Sequence, residues 1–203
     1  MTRVYQYDVF ISYRRHGNDV PAWVRTHFYP RLREMLNENF ERDVDIFFDG
    51  NIATGADRVL QSQAALKRTR ILLPVCSPRY FWDEWCLREW HSMWHRERRL
   101  HGALPGNPPS LIYPVIFCDS QNFPDYAKAR RMRDFNDWNQ SLPQFQDTVD
   151  YLRFNNEVGE TAQELVELIR QAPEWSDDWP DDGPDPEPPP VPGPPPTSKL
   201  PRF

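Results

Sequence analysis

Short apolar runs alternate with longer helical patterns along the first 172 residues. The apolar runs are YDVFISY (7–13), DVDIFFD (43–49), RILLPVCS (70–77) and SLIYPVIFC (110–118), with a further short strand predicted near 134–137. Strands that alternate with helices at this spacing predict βαβ units. The sequence therefore predicts an α/β fold of the flavodoxin-like type, a three-layer sandwich in which helices cover both faces of a central parallel sheet of about five strands.

The predicted helices span residues 21–36, 53–68, 78–100 and 148–171, where apolar side chains recur at helical spacing. Their apolar residues include Leu60 in the second helix and Val149 and Leu152 in the last. Two prolines, Pro74 and Pro114, interrupt the third and fourth strands. Because proline removes a backbone donor, we expect these positions at a sheet edge or a bulge.

The chain changes in composition after residue 172. Residues 173–203 carry seven acidic and two basic side chains, and 180–196 read PDDGPDPEPPPVPGPPP. Such a segment has too little apolar surface to offset the entropy of ordering. We therefore predict a folded domain over 1–172 and an acidic, proline-rich disordered tail or linker over 173–203. An alternative for the stretch PEPPPVP is docking in an aromatic groove of a partner.

Charge and hydropathy restrict the classes of partner. The net charge of −6 comes mostly from the tail, so nothing indicates a nucleic-acid-binding surface on the folded part. The mean hydropathy of −0.77 and the lack of a long apolar run predict no membrane span, and the N-terminus lacks a signal-peptide pattern. Cys76, Cys86 and Cys118 form no CxxC pair, which favours reduced thiols in a cytoplasmic protein.

Three polar segments follow the predicted strands: SYRRHGN (12–18), DGNIATG (49–55) and SPRYFWDEWCLRE (77–89). In open parallel sheets, ligands bind beyond the carboxyl ends of the strands, where the strand order reverses. We therefore expect the functional site to be built from these segments.

A phosphoacceptor receiver domain is an alternative with the same fold, and it needs clustered aspartates to bind Mg²⁺. Here the first strand ends in Ser12 and Tyr13, and the third ends in Cys76 and Ser77. No acidic cluster is available at these ends, which argues against a receiver domain. Asp45 and Asp49 have no histidine or further acid to complete a ligand set, so no metal site is predicted.

The segment WDEWCLREW (82–90) places three tryptophans and three carboxylates in nine residues. On a helix, Cys86, Trp90, Met93 and Trp94 form a stripe that we expect to face the sheet. Trp85 and Glu89, four residues apart, share a different face. The alternative for Glu89 is a solvated or salt-bridged acid with partners in Arg88, Arg96 or Arg98, and the alternative for Trp85 is core packing.

Several segments together, in this order, resemble a TIR domain (Toll/interleukin-1 receptor homology domain). They are YDVFISYRR, FFDGNIATGADRVLQSQAALKRTRILLPVCSPRYF, SPRYFWDEWCLREW and LIYPVIF, and the resemblance covers residues 5–172. In many enzymatic members of this family, the glutamate of the third segment is essential for cleaving NAD⁺. Glu89 aligns with that glutamate, so the resemblance implies a catalytic role for Glu89.

The implied chemistry suits these residue types. Cleavage between ribose and nicotinamide passes through an oxocarbenium-like transition state, which a carboxylate stabilises, and nicotinamide leaves without a general acid. Trp85 offers a flat face to the cationic ring through a cation–π attraction of about 0.5–2 kcal/mol.

The resemblance also implies which residues bind the substrate. Ser12, Tyr13 and Arg14 follow the first strand and are expected to meet the ribose or pyrophosphate, with Arg14 or Arg15 as a bidentate phosphate donor. The segment from Asp49 to Gly55 resembles the family's mobile loop over the pocket. Gly55 opens a helix whose free N–H groups suit an anion.

The expected function is an NAD⁺ glycohydrolase or cyclase that releases nicotinamide and ADP-ribose or a cyclic isomer, in immune or defence signalling. NAD⁺ is then the substrate and no cofactor is required. Expected partners are other TIR domains, by self-association, and a sensor protein or a fused sensor domain. Two alternatives are a non-catalytic TIR–TIR adaptor and an enzyme acting on another nucleotide. Trp90 replaces a common leucine, and RRHGN replaces an acidic run, which affects the expected width of the pocket.

Overall fold

A computed structural model describes residues 5–51, 58–103 and 110–179. Their strands are β1 (Tyr7–Tyr13), β2 (Ile46–Phe47), β3 (Thr69–Cys76), β4 (Val115–Ile116) and β5 (Arg133–Asp134). All pair in parallel, in the order β2-β1-β3-β4-β5. This is the flavodoxin-like order, and it confirms the predicted α/β fold class.

The helices connect these strands as the alternating pattern predicts. They are α1 (Asp19–Trp23), α2 (Tyr29–Asn39), α3 (Arg58–Lys67), α4 (Glu84–Ala103), α5 (Asp125–Lys128) and α6 (Val149–Gln171), and five π-helical residues (Val24–Phe28) join α1 to α2. The β1–β2 and β2–β3 connections run in opposite directions along the sheet. Right-handed crossovers therefore place α2 and α3 on opposite faces. The last helix, α6, packs against α2, whereas α3 and α4 both contact β1 and β3.

The core of the domain is centred on β1 and β3. The strand β1 pairs with β2 on one side, at Val9 and Ile46, and with β3 on the other, at Val9 and Ile71. Six of its seven residues are buried, as expected for a strand covered by helices on both faces. The carboxyl ends of β1 and β3 form the point where the strand order reverses, and the loops that follow them carry the predicted site.

The two strand prolines do not lie at a sheet edge. Pro74 lies in β3, the central strand, and pairs with Ser12 of β1. On the other side, the ladder between β3 and β4 is interrupted between the bridge at Leu72 and the pair that begins at Val75. Pro74 and Pro114 both fall in that interruption. The expectation of a sheet edge was therefore wrong for Pro74, because Pro74 lies in the central strand, at a local gap in the pairing of β3 with β4.

Not every apolar residue of the predicted helices is buried. Leu60, Val149 and Leu152 expose 63%, 72% and 64% of their surface. The buried side of α6 begins at Phe154 and continues through Val158, Ala162, Leu165 and Ile169. The first turn of α6 therefore extends past the core.

The chain remains packed against the domain beyond α6. The indole N–H of Trp175 donates to the Lys67 carbonyl over 3.2 Å, and Trp179 is 7% exposed, with the Arg96 guanidinium 5.7 Å from its ring centre. The boundary at residue 172 stays a prediction. None of the helices within the described ranges combines the length and apolarity of a bilayer-spanning segment.

Trp23 is the centre of an aromatic cluster between α6 and the β4–β5 side of the sheet. Its ring stacks on Phe28 at 4.8 Å and meets Phe117, Phe135 and Phe154 edge-on. The indole N–H donates to the Trp138 carbonyl over 2.8 Å, so the only polar atom of this side chain has a partner.

We predict that Trp23→Ala lowers the free energy of unfolding by about 3–5 kcal/mol, because it leaves a cavity among four other rings. Urea denaturation measures this change. Trp82→Ala is the matched control, since Trp82 is 53% exposed, and we expect a change of less than about 0.5 kcal/mol there. Equal losses in the two variants would contradict this account of the core.

Candidate active site

Glu89 lies on α4 with its carboxylate turned into the domain, and only 7% of its surface is exposed. Asp83 fixes the start of α4, because its Oδ1 accepts the backbone N–H groups of Trp85 and Cys86 over 3.1 and 3.2 Å. Glu89 then follows in the second turn, facing the end of β1. The capped helix start therefore sets the position of the carboxylate.

The end of β1 holds one oxygen of this carboxylate. Ser12 donates its hydroxyl to Oε2 of Glu89 over 2.6 Å, and its own oxygen lies 2.8 Å from the hydroxyl of Tyr80. Tyr80 belongs to the 3₁₀ turn that follows β3 (Pro78–Trp82) and is fully buried. Ser12 at the end of β1 therefore holds the carboxylate, and Tyr80 in the turn after β3 contacts the Ser12 hydroxyl.

Arg15 faces the other oxygen and links two carboxylates. Its guanidinium Nη2 donates to Ser62 Oγ over 2.8 Å and lies 3.4 Å from Glu89 Oε1. Its Nε is 3.2 Å from Oδ2 of Asp49. Asp49 also accepts a hydrogen bond from the Tyr13 hydroxyl. Burial is the main cause of a raised pKa at Tyr13, and the hydrogen bond to Asp49 is the second cause. The phenol therefore stays protonated and acts as a hydrogen-bond donor.

Burial raises the pKa of Glu89 from 4.5 to about 7. The hydrogen bond from Ser12 and the charge of Arg15 act in the opposite direction, since both favour the ionised carboxylate. The neighbouring carboxylates of Asp49 and Asp83 add to the rise. At neutral pH the Glu89 carboxyl is therefore divided between its two protonation states, which is typical of a carboxyl adapted to chemistry near pH 7.

The space in front of Glu89 is narrow. Tyr13, Arg15, His16, Trp85 and Glu89 are among the residues that enclose a cavity of about 20 Å³. That volume accommodates about one water molecule. Entry of a nucleotide therefore requires side chains to move, and Arg15, which is 25% exposed, is one of the residues that enclose the cavity.

The family model described as a TIR domain matches residues 9–149. The chain belongs to the TIR domain family. No curated protein matches it.

Solved structures of TIR domains resemble its fold, among them the following two. The first contains the TIR domains of the activated Roq1 resistosome, which directly recognises the pathogen effector XopQ, at 20% identity and a TM-score of 0.38, covering 81% of this chain and 96% of that chain. The second is the TIR domain of the Toll-related receptor TRR-2 from Hydra magnipapillata, at 16% identity and a TM-score of 0.43, covering 74% and 98%.

The TIR domain brings most of the predicted site residues together. Ser12 contacts Glu89 directly, Asp49 and Tyr13 are linked to it through Arg15, and Trp85 lines the same cavity. Trp85 is half-buried, and the guanidinium of Arg88 lies 5.2 Å from its ring centre. One face of the Trp85 indole is therefore covered by the Arg88 guanidinium. Gly55 lies outside the described residues.

Arg14 is the predicted residue that the structure separates from Glu89. Its guanidinium donates to the carbonyl of His16 and lines a different cavity, whereas Arg15 turns towards Glu89. The alternative partners of Glu89 are also engaged elsewhere. Arg88 pairs with Glu84, and Arg96 donates to the carbonyls of Leu66 and Thr69.

Tyr80, Ser62 and Asp83 contribute to the TIR site although the sequence analysis did not select them. Tyr80 and Asp83 lie in the segment 77–89, which was selected as a whole, so their contribution could have been anticipated from the spacing. Ser62 lies in α3, and no sequence pattern around it points to the site. It takes part because it accepts a hydrogen bond from the Arg15 side chain, whose direction the sequence does not show.

The raised pKa of Glu89 predicts a pH-dependent stability difference. The folded state binds the Glu89 proton more tightly than the unfolded chain, so this contribution is complete below pH 4.5 and is lost as the pH rises through about 7. Glu89→Gln removes the buried charge. We expect its free energy of unfolding, relative to wild type, to increase by about 3 kcal/mol between pH 4.5 and pH 8.

Chemical denaturation across this pH range measures the difference. Glu167→Gln is the control, because Glu167 lies on α6 with 61% of its side chain exposed and pairs there with Arg170, and a surface ion pair of this kind contributes at most about 1 kcal/mol. A pH-independent difference for Glu89→Gln would show that the carboxyl titrates normally.

Proposed function

We propose that this TIR domain is an NAD⁺ nucleosidase, a glycohydrolase or cyclase that releases nicotinamide and leaves ADP-ribose or a cyclic isomer. The observation that carries this proposal is the buried carboxylate of Glu89, which Ser12 holds and Arg15 faces at the switch point of the sheet. Ligand sites of open α/β sheets lie at such points. The alignment of Glu89 with the glutamate of enzymatic TIR domains supports the same assignment.

In the proposed reaction the bond between ribose C1′ and the nicotinamide nitrogen breaks, and its electron pair leaves with the ring as neutral nicotinamide. The ribose becomes oxocarbenium-like, and the ionised carboxylate of Glu89 stabilises the developing positive charge. Water then adds to C1′ and loses a proton to the Glu89 carboxylate or to solvent, which gives ADP-ribose, or a nitrogen of the adenine adds with loss of a proton to give a cyclic isomer. Ser12 binds Oε2, while Oε1 faces the Arg15 guanidinium, whose Nη2 lies 3.4 Å away.

Arg15 has a second role in this proposal. The Arg15 guanidinium meets the Asp49 and Glu89 carboxylates with one atom each, at 3.2 and 3.4 Å. A pyrophosphate accepts bidentate contacts from a guanidinium, and these are stronger. Substrate binding would therefore draw Arg15 away from Glu89 and widen the cavity. Trp85 then provides the flat surface against which the nicotinamide ring stacks.

We further propose that activity depends on self-association through TIR–TIR contacts, triggered by a sensor partner or a fused sensor domain in cytoplasmic immune or defence signalling. The family resemblance supports this proposal, because pockets of the family are often completed by a neighbouring copy. The small cavity is consistent with it, since a single described copy leaves room for about one water molecule in front of Glu89.

The second candidate function is a TIR–TIR interaction module without turnover. The same closed cavity favours it, because Arg15 satisfies both Asp49 and Glu89 as a structural ion pair. In this interpretation Glu89 stabilises the loop after β1 and never meets a substrate.

Nicotinamide release from NAD⁺ separates the two candidates. We predict that wild type releases nicotinamide at high protein concentration with a crowding agent, and that Glu89→Ala lowers kcat at least about a hundredfold, as loss of transition-state electrostatics does. Glu167→Ala, which removes an exposed carboxylate on α6, should stay within about twofold of wild type. Specific activity should also rise with protein concentration.

Three outcomes would contradict parts of this proposal. Equal release by wild type and Glu89→Ala would remove Glu89 from the chemistry. A rate that depends linearly on protein concentration, with no lag, would remove the requirement for self-association. The absence of release from wild type even when the domain is clustered on a multivalent scaffold would exclude NAD⁺ cleavage and favour the interaction module over the proposed enzyme.

A further inference from the structure

The last residues that the structure describes lie against α4. Trp179 is 7% exposed beside Arg96, and the Arg99 guanidinium donates to the carbonyl of Asp178. Arg96 and Arg99 both belong to the second half of α4. The segment that follows in the chain, from residue 180 on, therefore starts at the surface of this helix.

Two arginines and three rings follow one another along the outer side of α4. Arg98 and Arg99 are exposed, and neither pairs with a carboxylate among the described residues. About one turn back along the helix, the Trp94 ring centre lies 5.0 Å from the Arg98 guanidinium. About one turn further back, His91 lies 6.0 Å from Trp94 and 5.9 Å from Tyr126 of α5. We call these five residues the α4 outer face.

The aromatic part of the α4 outer face is held from below and reaches solvent above. Tyr126 is 38% exposed, whereas Trp94 and His91 are half-buried. The ring of Trp90, which is 1% exposed, lies 5.9 Å from Tyr126 on the core side. Aromatic rings that are fixed in this way, with one side accessible, are the kind of surface on which polyproline II segments dock.

The segment beyond residue 179 carries complementary groups in the same order as the α4 outer face. Four acidic residues come first, and they are Asp181, Asp182, Asp185 and Glu187. The run PPPVP follows at 188–192, and no lysine or arginine occurs between 180 and 196. Carboxylates suit the two arginines nearest to the start of the segment, and proline rings suit the aromatic rings that come next.

The lengths of the segment and of the helix favour docking within one chain. From Arg99 back to His91, α4 rises about 12 Å, at about 1.5 Å per residue. An extended proline-rich chain covers about 3.1 Å per residue, so residues 180–192 span up to about 40 Å. Because Trp179 already lies on α4, the tether also gives the segment a local concentration in the millimolar range at this face. A second copy has no such advantage.

We propose that residues 181–192 dock along the α4 outer face of their own domain as a polyproline II segment. Their carboxylates pair with Arg98 and Arg99, and their proline rings pack on Trp94 and Tyr126. The segment has too little apolar surface to fold alone, so the contacts with α4 offset the entropy of ordering it. The docking requires no NAD⁺ cleavage, and it places the tail on the helix that carries Glu89.

Backbone order parameters from ¹⁵N relaxation of the full chain test the docking at Asp185, Glu187 and Val191, which carry amide protons among the prolines. We expect values of about 0.85, as in ordered backbone, whereas a free segment gives values below about 0.6. Arg98→Glu reverses an exposed charge of the face and should lower the values below about 0.6. Arg153→Glu is the matched control, because Arg153 lies on α6 with 68% of its side chain exposed, and it should leave them unchanged.

The contact between the prolines and the rings has a separate test. Pro188→Gly, Pro189→Gly and Pro190→Gly, combined in one full-length variant, remove the proline rings and the preformed extended backbone. We expect the indole N–H signal of Trp94 to shift in this variant. The indole signal of Trp23, which is buried in the cluster beside α6, should stay in place.

Order parameters below about 0.6 in the wild-type chain, or equal values in Arg98→Glu and Arg153→Glu, would overturn the proposal. Values that rise with protein concentration would assign the segment to α4 of a second copy and overturn docking within one chain. A Trp94 signal that the glycine variant leaves in place would contradict the packing of the prolines on the rings.

Discussion

The hydrogen bond between Ser12 and Glu89 joins the end of β1 to α4, a helix that packs against this strand. Around this contact the domain assembles a buried carboxylate, an arginine and a second carboxylate from Asp49. Burial alone would favour a neutral carboxyl, while Ser12 and Arg15 favour the ionised form. The pKa of about 7 is the result of this opposition, and the proposed chemistry depends on it.

Much of the fold follows from sequence periodicity. The strand β1 has the predicted bounds, because its run of β-branched and aromatic residues favours a strand and ends where polar residues begin. The shared face of Trp85 and Glu89 also follows from helical spacing, and both line one cavity. The prediction of a sheet edge for Pro74 was wrong. Pro74 lies at a local gap in the pairing of β3 with β4, and such a gap depends on how the two strands pair, which the sequence of one strand does not show.

Side-chain directions in loops were less predictable. Arg14 and Arg15 are chemically identical neighbours, and only the turn after β1 decides which of them meets Glu89. Ser62 contributes to the site because its hydroxyl oxygen accepts a hydrogen bond from Arg15, which is 47 positions away in sequence.

The most direct test of the account is the pH dependence of kcat/KM for nicotinamide release, compared between wild type and Ser12→Ala. We predict that wild-type activity rises with pH through an apparent pKa near 7, as Glu89 ionises. In Ser12→Ala this pKa should move higher, because the hydrogen bond that favours the ionised carboxylate is lost. A profile that is flat between about pH 5 and pH 9 in both proteins would contradict the central role of this carboxylate.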